Sequence, residues 1–88
     1  MNIGIDIRLS SKKVILNIGE IVVPAHFKNP NLDKLLMHHQ DYVCNQYLDP
    51  IIVDSNNVII DGYISYLIHK GYGHEKVDVC KIYTDVRF

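Results

Sequence analysis

LDPIIVDSNNVIIDGYISYLIHKGYG, residues 48–73, reads as strand, tight loop, strand and helix. Pro50 opens the apolar run Ile51, Ile52 and Val53, and four turn formers, Asp54, Ser55, Asn56 and Asn57, break it. A second β-branched run, Val58, Ile59 and Ile60, follows before Asp61 and Gly62 change the periodicity. The expectation is a hairpin of residues 51–54 and 58–61 feeding a helix that starts at 62 or 63 and ends near 70. Asp61 is expected at the N-cap, where a carboxylate accepts from the open amides of the first turn. Ile64, Leu67 and Ile68 have the i, i+3, i+4 spacing of one buried helical face. Gly71 and Gly73 are expected to stop the helix.

Working toward the N-terminus, Asn31 is a candidate cap for a helix over LDKLLMHHQDYV, with Asp33 in its first turn. Leu32, Leu35 and Leu36, with His39 or Val43, line its apolar face, and the pattern weakens after Gln40. The preceding PAHFKNPN, residues 24–31, reads as a loop, and Ile21, Val22 and Val23 as a strand end closed by Pro24. Ile3, Ile5 and Ile7 alternate with polar residues or glycine over 2–9, and Val14 to Ile18 make a second extended run. Ser10, Ser11, Lys12 and Lys13 between them read as a polar turn, so a hairpin is expected here too. Toward the C-terminus, residues 77–83 form a last strand. The order is therefore ββαββαβ: a single α+β domain over residues 1–88, with a small mixed sheet and two main helices. A helix between strands permits a crossover and hence some parallel pairing.

Composition narrows the function classes. The chain has 88 residues, 48% hydrophobic and 22% charged, and a formal net charge of −1. That balance argues against a strongly basic binder that gains affinity by neutralising nucleic-acid phosphates. Cys44 and Cys80 belong to no CxxC pair and are expected to be free thiols. No run approaches the ~20 apolar residues of a membrane span, and the expected location is cytoplasmic, without a membrane partner.

The residues Ile21, Val23, Pro24 and Phe27, then Lys34, then Leu48 through Ile68, resemble the ParB/sulfiredoxin superfamily. The resemblance covers about three quarters of the chain. It implies a glycine turn before the second helix that binds nucleotide phosphates, with Lys34 at the place of a ligand-binding lysine. Sulfiredoxins carry Gly-Cys-His-Arg there and use ATP, ParB proteins carry a Gly-Glu-Arg-Arg-type segment that binds CTP, and small phage and bacterial relatives often read DGYIRY. This chain reads Asp61, Gly62, Tyr63, Ile64, Ser65, Tyr66. It has no cysteine at 63 to act as the sulfiredoxin nucleophile, and no arginine at 64 or 65. A serine hydroxyl does not replace a planar, bidentate guanidinium. The helix–turn–helix module that gives full-length ParB its DNA specificity is not expected within these 88 residues.

The resulting expectation is a non-catalytic ParB/sulfiredoxin-like binding domain of phage or plasmid regulation, with a protein or nucleic-acid partner or a second copy of itself. The alternative is a CTP- or ATP-binding switch, with Mg2+, or a phosphotransfer or nuclease-type enzyme of the same superfamily. Candidate nucleotide- or anion-binding residues are Lys34, Asp61, Gly62, Tyr63, Ile64 and Ser65, because amides at a helix start attract anions. Tyr63, Tyr66 and His69 are candidate partner contacts, weighed against packing at the rim of the core. No catalytic dyad is assigned: Ser65 and His69 are i, i+4 without a third group. The histidines His26, His38, His39, His69 and His74 show no HxxxH or HxH ligand spacing, so no metal site is assigned.

Overall fold

A computed structural model describes residues 6–27 and 31–87. The expectations for residues 2–5 of the first strand and 28–30 of the proline loop lie outside the described residues. A four-stranded sheet has the order β1–β4–β2–β3, with β1 Asp6–Asn17, β2 Ile51–Val53, β3 Ile59–Asp61 and β4 Lys76–Arg87. The two α-helices are α1, Leu32–Asn45, and α2, Tyr63–Gly71. β4 pairs antiparallel with β1 and parallel with β2, and β2 pairs antiparallel with β3. The sheet is mixed and the fold is α+β, as expected.

One expectation about strand order is corrected. Ser10 to Lys13 are not a turn: β1 runs unbroken through them, with Ser10 opposite Tyr83 and Lys13 opposite Cys80. Its outer side is an exposed sheet edge, where polar and lysine side chains are favoured because they discourage edge-to-edge pairing. The order is thus βαββαβ, and the Ile21–Val23 segment contributes a single parallel bridge between Val22 and Val58.

Strand alternation builds the core. Ile51, Val53, Ile59, Val77 and Val79 are buried, together with Ile21 and Tyr66, whereas the intervening Ile60 and Asp78 face outward. Each fully buried aliphatic side chain of this kind contributes roughly 1.5–3 kcal/mol. The β2–β3 loop is held by Asp54, whose Oδ1 accepts from the amides of Asn56 at 2.8 Å and Val58 at 3.0 Å.

α1 is capped as expected, Asn31 Oδ1 accepting from the Lys34 amide at 3.2 Å. It continues past Gln40 to Asn45. Its apolar face is less covered than the pattern implies, for no residue of α1 is buried. α2 lies between the sheet and α1. Tyr66 enters the core with Tyr63 and Leu67 packed beside it, and Ile68 lines a cavity with Leu35, Leu36 and His39 of α1. The buried residues of α2 are therefore Ser65, Tyr66 and Ile68, while Ile64 and Leu67 are half-buried. A helix covered on two sides has a wider buried arc than the single stripe read from Ile64, Leu67 and Ile68.

Candidate ligand groove at the start of the second helix

The groove is organised by Gly62. Its φ of +85° lies in the left-handed region, and a Cβ there would run into the carbonyl oxygen of Pro50 and come within 2.8 Å of Ile51 Cα. Glycine is thus required twice, for the turn and for the close approach of α2 to the start of β2. This corrects the expected cap: Gly62 is the N-cap and no side chain caps the first turn. The Asp61 carboxylate instead accepts from the adjacent Gly62 amide at 2.8 Å. The first amides of a helix have no intrahelical acceptor, so those of Tyr63, Ile64 and Ser65 keep their donor capacity.

These amides border a groove of about 690 Å3, lined by His26, Phe27, Asn31, Lys34, Met37, His38, Asp49, Pro50 and residues 61–65. The structure therefore brings Lys34, Asp61, Gly62, Tyr63, Ile64 and Ser65 around one opening, with Lys34 supplied by α1 and the rest by the β3–α2 junction. That volume lies within the ~300–1,000 Å3 of small-molecule sites. Ser65 is 1% exposed, and its Oγ has no hydrogen-bond partner. It makes no bond to His69, whose Nδ1 is directed to His74. A buried hydroxyl without a partner at the edge of a groove is a donor and acceptor waiting for a ligand or a water.

Among the described lining residues the charges are close to balanced. Lys34 and the positive end of the α2 dipole stand against Asp49 and Asp61 on the same lining. His38 Nδ1 lies 3.5 Å from Asp49 Oδ2, tying α1 to the approach to β2. One wall is aromatic: His26 and Phe27 rings are 4.4 Å apart, Phe27 and Tyr63 5.2 Å, and Tyr63 and Tyr66 6.1 Å. The wall thus runs from the open groove into the core. Of the candidate partner contacts, Tyr63 belongs to this wall and His69 is half-buried elsewhere. Tyr66 is 7% exposed and its ring packs inside the domain.

A second cluster was hidden from sequence spacing. At the C-terminus of α2, Gly73 has φ +74°, its amide bonds the Lys70 carbonyl, and the His74 amide bonds the His69 carbonyl. This is a Schellman ending. It folds His74 back onto His69, Nδ1 to Nδ1 at 3.0 Å. Burial, and then the neighbouring His74, holds His69 below its ordinary value, with Asp78 opposing. Tyr72, between them in sequence, bonds His39 Nε2 of α1 through its hydroxyl at 2.7 Å. Only a knowledge of where the helix ends places these rings together.

No family model and no curated protein matches the sequence. Solved structures do match. A C2221 crystal form of a Pnob8-like ParB-N domain superposes with a TM-score of 0.73 at 25% identity, over 89% of this chain and 32% of the other. A second structure, of a pNOB8-like ParB N-domain, gives 0.72 at 24% identity, over 89% and 30%. The fold is that of a ParB N-domain, and this chain spans about a third of the length of the chains it matches.

Proposed function

We propose that this chain is a non-catalytic ParB-like binding domain whose ligand site is the Gly62 groove, and that the group bound there is the phosphate of a nucleotide. The observation that carries the reading is Ser65: its Oγ is buried without a partner beside the uncapped amides of α2, in a groove that also holds Lys34. Backbone amides at a helix start, a hydroxyl and one ammonium make a phosphate cradle. The aromatic wall of His26, Phe27 and Tyr63 offers a face for a base.

Affinity is low on this reading. Among the described lining residues Asp49 and Asp61 stand beside one lysine, and none is an arginine that could supply bidentate contacts. A dissociation constant above ~100 μM, about −5.5 kcal/mol, is expected for ATP or CTP with Mg2+. Likeness to ParB N-domains supports a plasmid or phage regulatory setting, in which the nucleotide biases binding to a larger protein or nucleic-acid partner. The test is titration of the isotope-labelled chain with CTP and ATP, with and without Mg2+, followed by amide resonances. Saturable shifts centred on residues 62–66 and Lys34 are expected. No shift at millimolar nucleotide, or shifts centred elsewhere, would reject the site.

A further inference from the structure

The charge of this chain is unevenly placed along the fold. β1 and β4 pair along their whole lengths, but β2 accompanies β4 only from Val79 to Lys81. Past that point, among the described residues, the sheet narrows to a two-stranded ribbon. It runs on through six more residue pairs, from Ser11–Ile82 to Asp6–Arg87, or roughly 20 Å at ~3.4 Å per residue. The ribbon and its root, residues 6–13 and 80–87, hold Arg8, Lys12, Lys13, Lys81 and Arg87 against Asp6 and Asp85, a formal +3. The whole chain is −1, so the rest of it carries −4. At the far end the charges match in register, Arg8 with Asp85 and Asp6 with Arg87. The excess therefore sits at the root, on Lys12, Lys13 and Lys81.

Lys12 and Lys81 are directly opposite one another. They share one face of the ribbon, and like charges in that arrangement destabilise a sheet. The pairs flanking them on that face are Ser10–Tyr83 and Val14–Val79, none of which is acidic. Protection of a sheet edge accounts for lysines on β1. It does not account for Lys81, which stands on an interior strand between Lys12 and Val53. Lys81 Nζ lies 5.7 Å from the centre of the Tyr83 ring, and Ser10 and Lys12 are exposed. We infer that this face is a docking surface for the phosphate backbone of B-form DNA. Ammonium groups and hydroxyls are the donors that phosphate oxygens take. A two-stranded ribbon fits the major groove of B-form DNA, whereas the major groove of an RNA duplex is too narrow for it. The acidic remainder of the chain orients the approach, so that the ribbon leads. The inference rests on the reading of this chain as a binding domain and names its larger partner, but it uses none of the Gly62 groove. With only two or three phosphates neutralised, binding is weak, indifferent to base sequence and steeply dependent on salt.

Fluorescence anisotropy of a short labelled DNA duplex of arbitrary sequence tests it. In about 50 mM salt the parent chain should bind saturably, with a dissociation constant of about 1–100 μM. That constant should rise roughly 10- to 40-fold by about 200 mM salt, from a slope of about −0.9 per phosphate and two or three contacts. Lys12→Glu should bind at least ~10-fold more weakly, while its thermal midpoint holds or rises because the like-charge pair becomes an opposite-charge one. Lys12→Gln should fall between the two in affinity. Lys76→Glu makes the same change of net charge at the other end of β4, roughly 17 Å from Lys81. Beyond the Debye length of ~10 Å, it should stay within about threefold of the parent. No binding at about 1 mM protein in the lower salt overturns the inference, as does binding that survives Lys12→Glu. An equal loss in Lys76→Glu overturns it too, because net charge and not the ribbon would then be responsible. So does tighter binding to a single strand, to an RNA duplex or to phosphatidylserine vesicles than to the DNA duplex. Nucleotide titration of Lys12→Glu should match the parent, which separates failure of the ribbon from failure of the groove.

Discussion

Replacing Gly62 with alanine should cost a large share of the stability of this domain. Placing a non-glycine residue at a left-handed φ costs roughly 1–2 kcal/mol. The added methyl also meets backbone, with Ile51 Cα at 2.8 Å and the Pro50 carbonyl closer still. Carbon atoms prefer separations near 3.5–4.0 Å, so the start of β2 or of α2 must move. Over-packing of this kind costs about 1–3 kcal/mol. The two effects together give ~2–5 kcal/mol, against a total of roughly 4–13 kcal/mol for a chain of this length. At about 4–8 °C per kcal/mol, the midpoint of thermal unfolding should fall by roughly 8–40 °C. Urea unfolding followed by circular dichroism measures it, with a lowered midpoint and an unchanged slope. Gly62→Asn tolerates the left-handed φ better but keeps the clash, and should fall between parent and Gly62→Ala. Gly71→Ala is the control: a Cβ there meets nothing within 4 Å, and the helix should gain about 0.5–1 kcal/mol. A Gly62→Ala protein within ~0.5 kcal/mol of the parent, or a Gly71→Ala protein just as damaged, would refute the close-approach argument.

Ser65→Ala should lower nucleotide affinity roughly 2- to 13-fold, the equivalent of one hydrogen bond of ~0.5–1.5 kcal/mol; calorimetry showing unchanged affinity in a folded variant would mean that the Ser65 hydroxyl is not part of a phosphate site. Because His69 titrates below its unfolded value, the unfolded chain binds more protons, so stability is intact above about pH 6.5, falls as pH drops from there to the depressed native value, and is flat below it. His69→Gln should flatten that segment of the curve of urea midpoint against pH, and an unchanged slope would exonerate the residue. Cys44 and Cys80 should titrate as two thiols in the unfolded, unreduced protein with Ellman reagent, in keeping with their free state in the fold, whereas an absence of thiols would contradict it.

The β2–β3–α2 unit was legible because its determinants are local. Turn formers, β-branched runs and Gly62 all lie within a few residues of the structure they cause, and β2, β3 and α2 fall where the pattern put them. The continuity of β1 was not legible, since Ser10 to Lys13 are held in a strand by Cys80 to Tyr83, some seventy residues away. Asp61 has every local mark of a cap, yet the approach of α2 to Pro50 demands glycine at the cap itself. Burial of Ser65 and Tyr66 was equally out of reach, because it follows from α2 being covered on two sides. The groove residues from 61 to 65 and Lys34 came from a family resemblance, and their convergence is a property of the tertiary fold. His69 and His74 meet through a helix ending whose geometry the spacing alone does not disclose.

β4, one of the two central strands of the sheet, is the last of the four in sequence. Among the described strands β4 lies between β1 and the β2–β3 pair, and its pairing with β1 includes Asp6 opposite Arg87. β1 therefore has no neighbour in the sheet until β4 has been added. The hairpin and α2 can form early from near contacts, but β1 must wait, with its backbone groups turned to water. Closure over such a sequence distance is slow compared with local folding. The same adjacency of β1 and β4 allows a circular permutant of this domain to be built by joining the end of β4 to the start of β1 and opening new ends in the Asp54–Asn57 loop. A permutant of that kind carries β4 and β1 side by side in sequence, converting the longest-range pairing of the fold into a local hairpin. Its sheet is expected to assemble faster than that of the parent while keeping the same architecture.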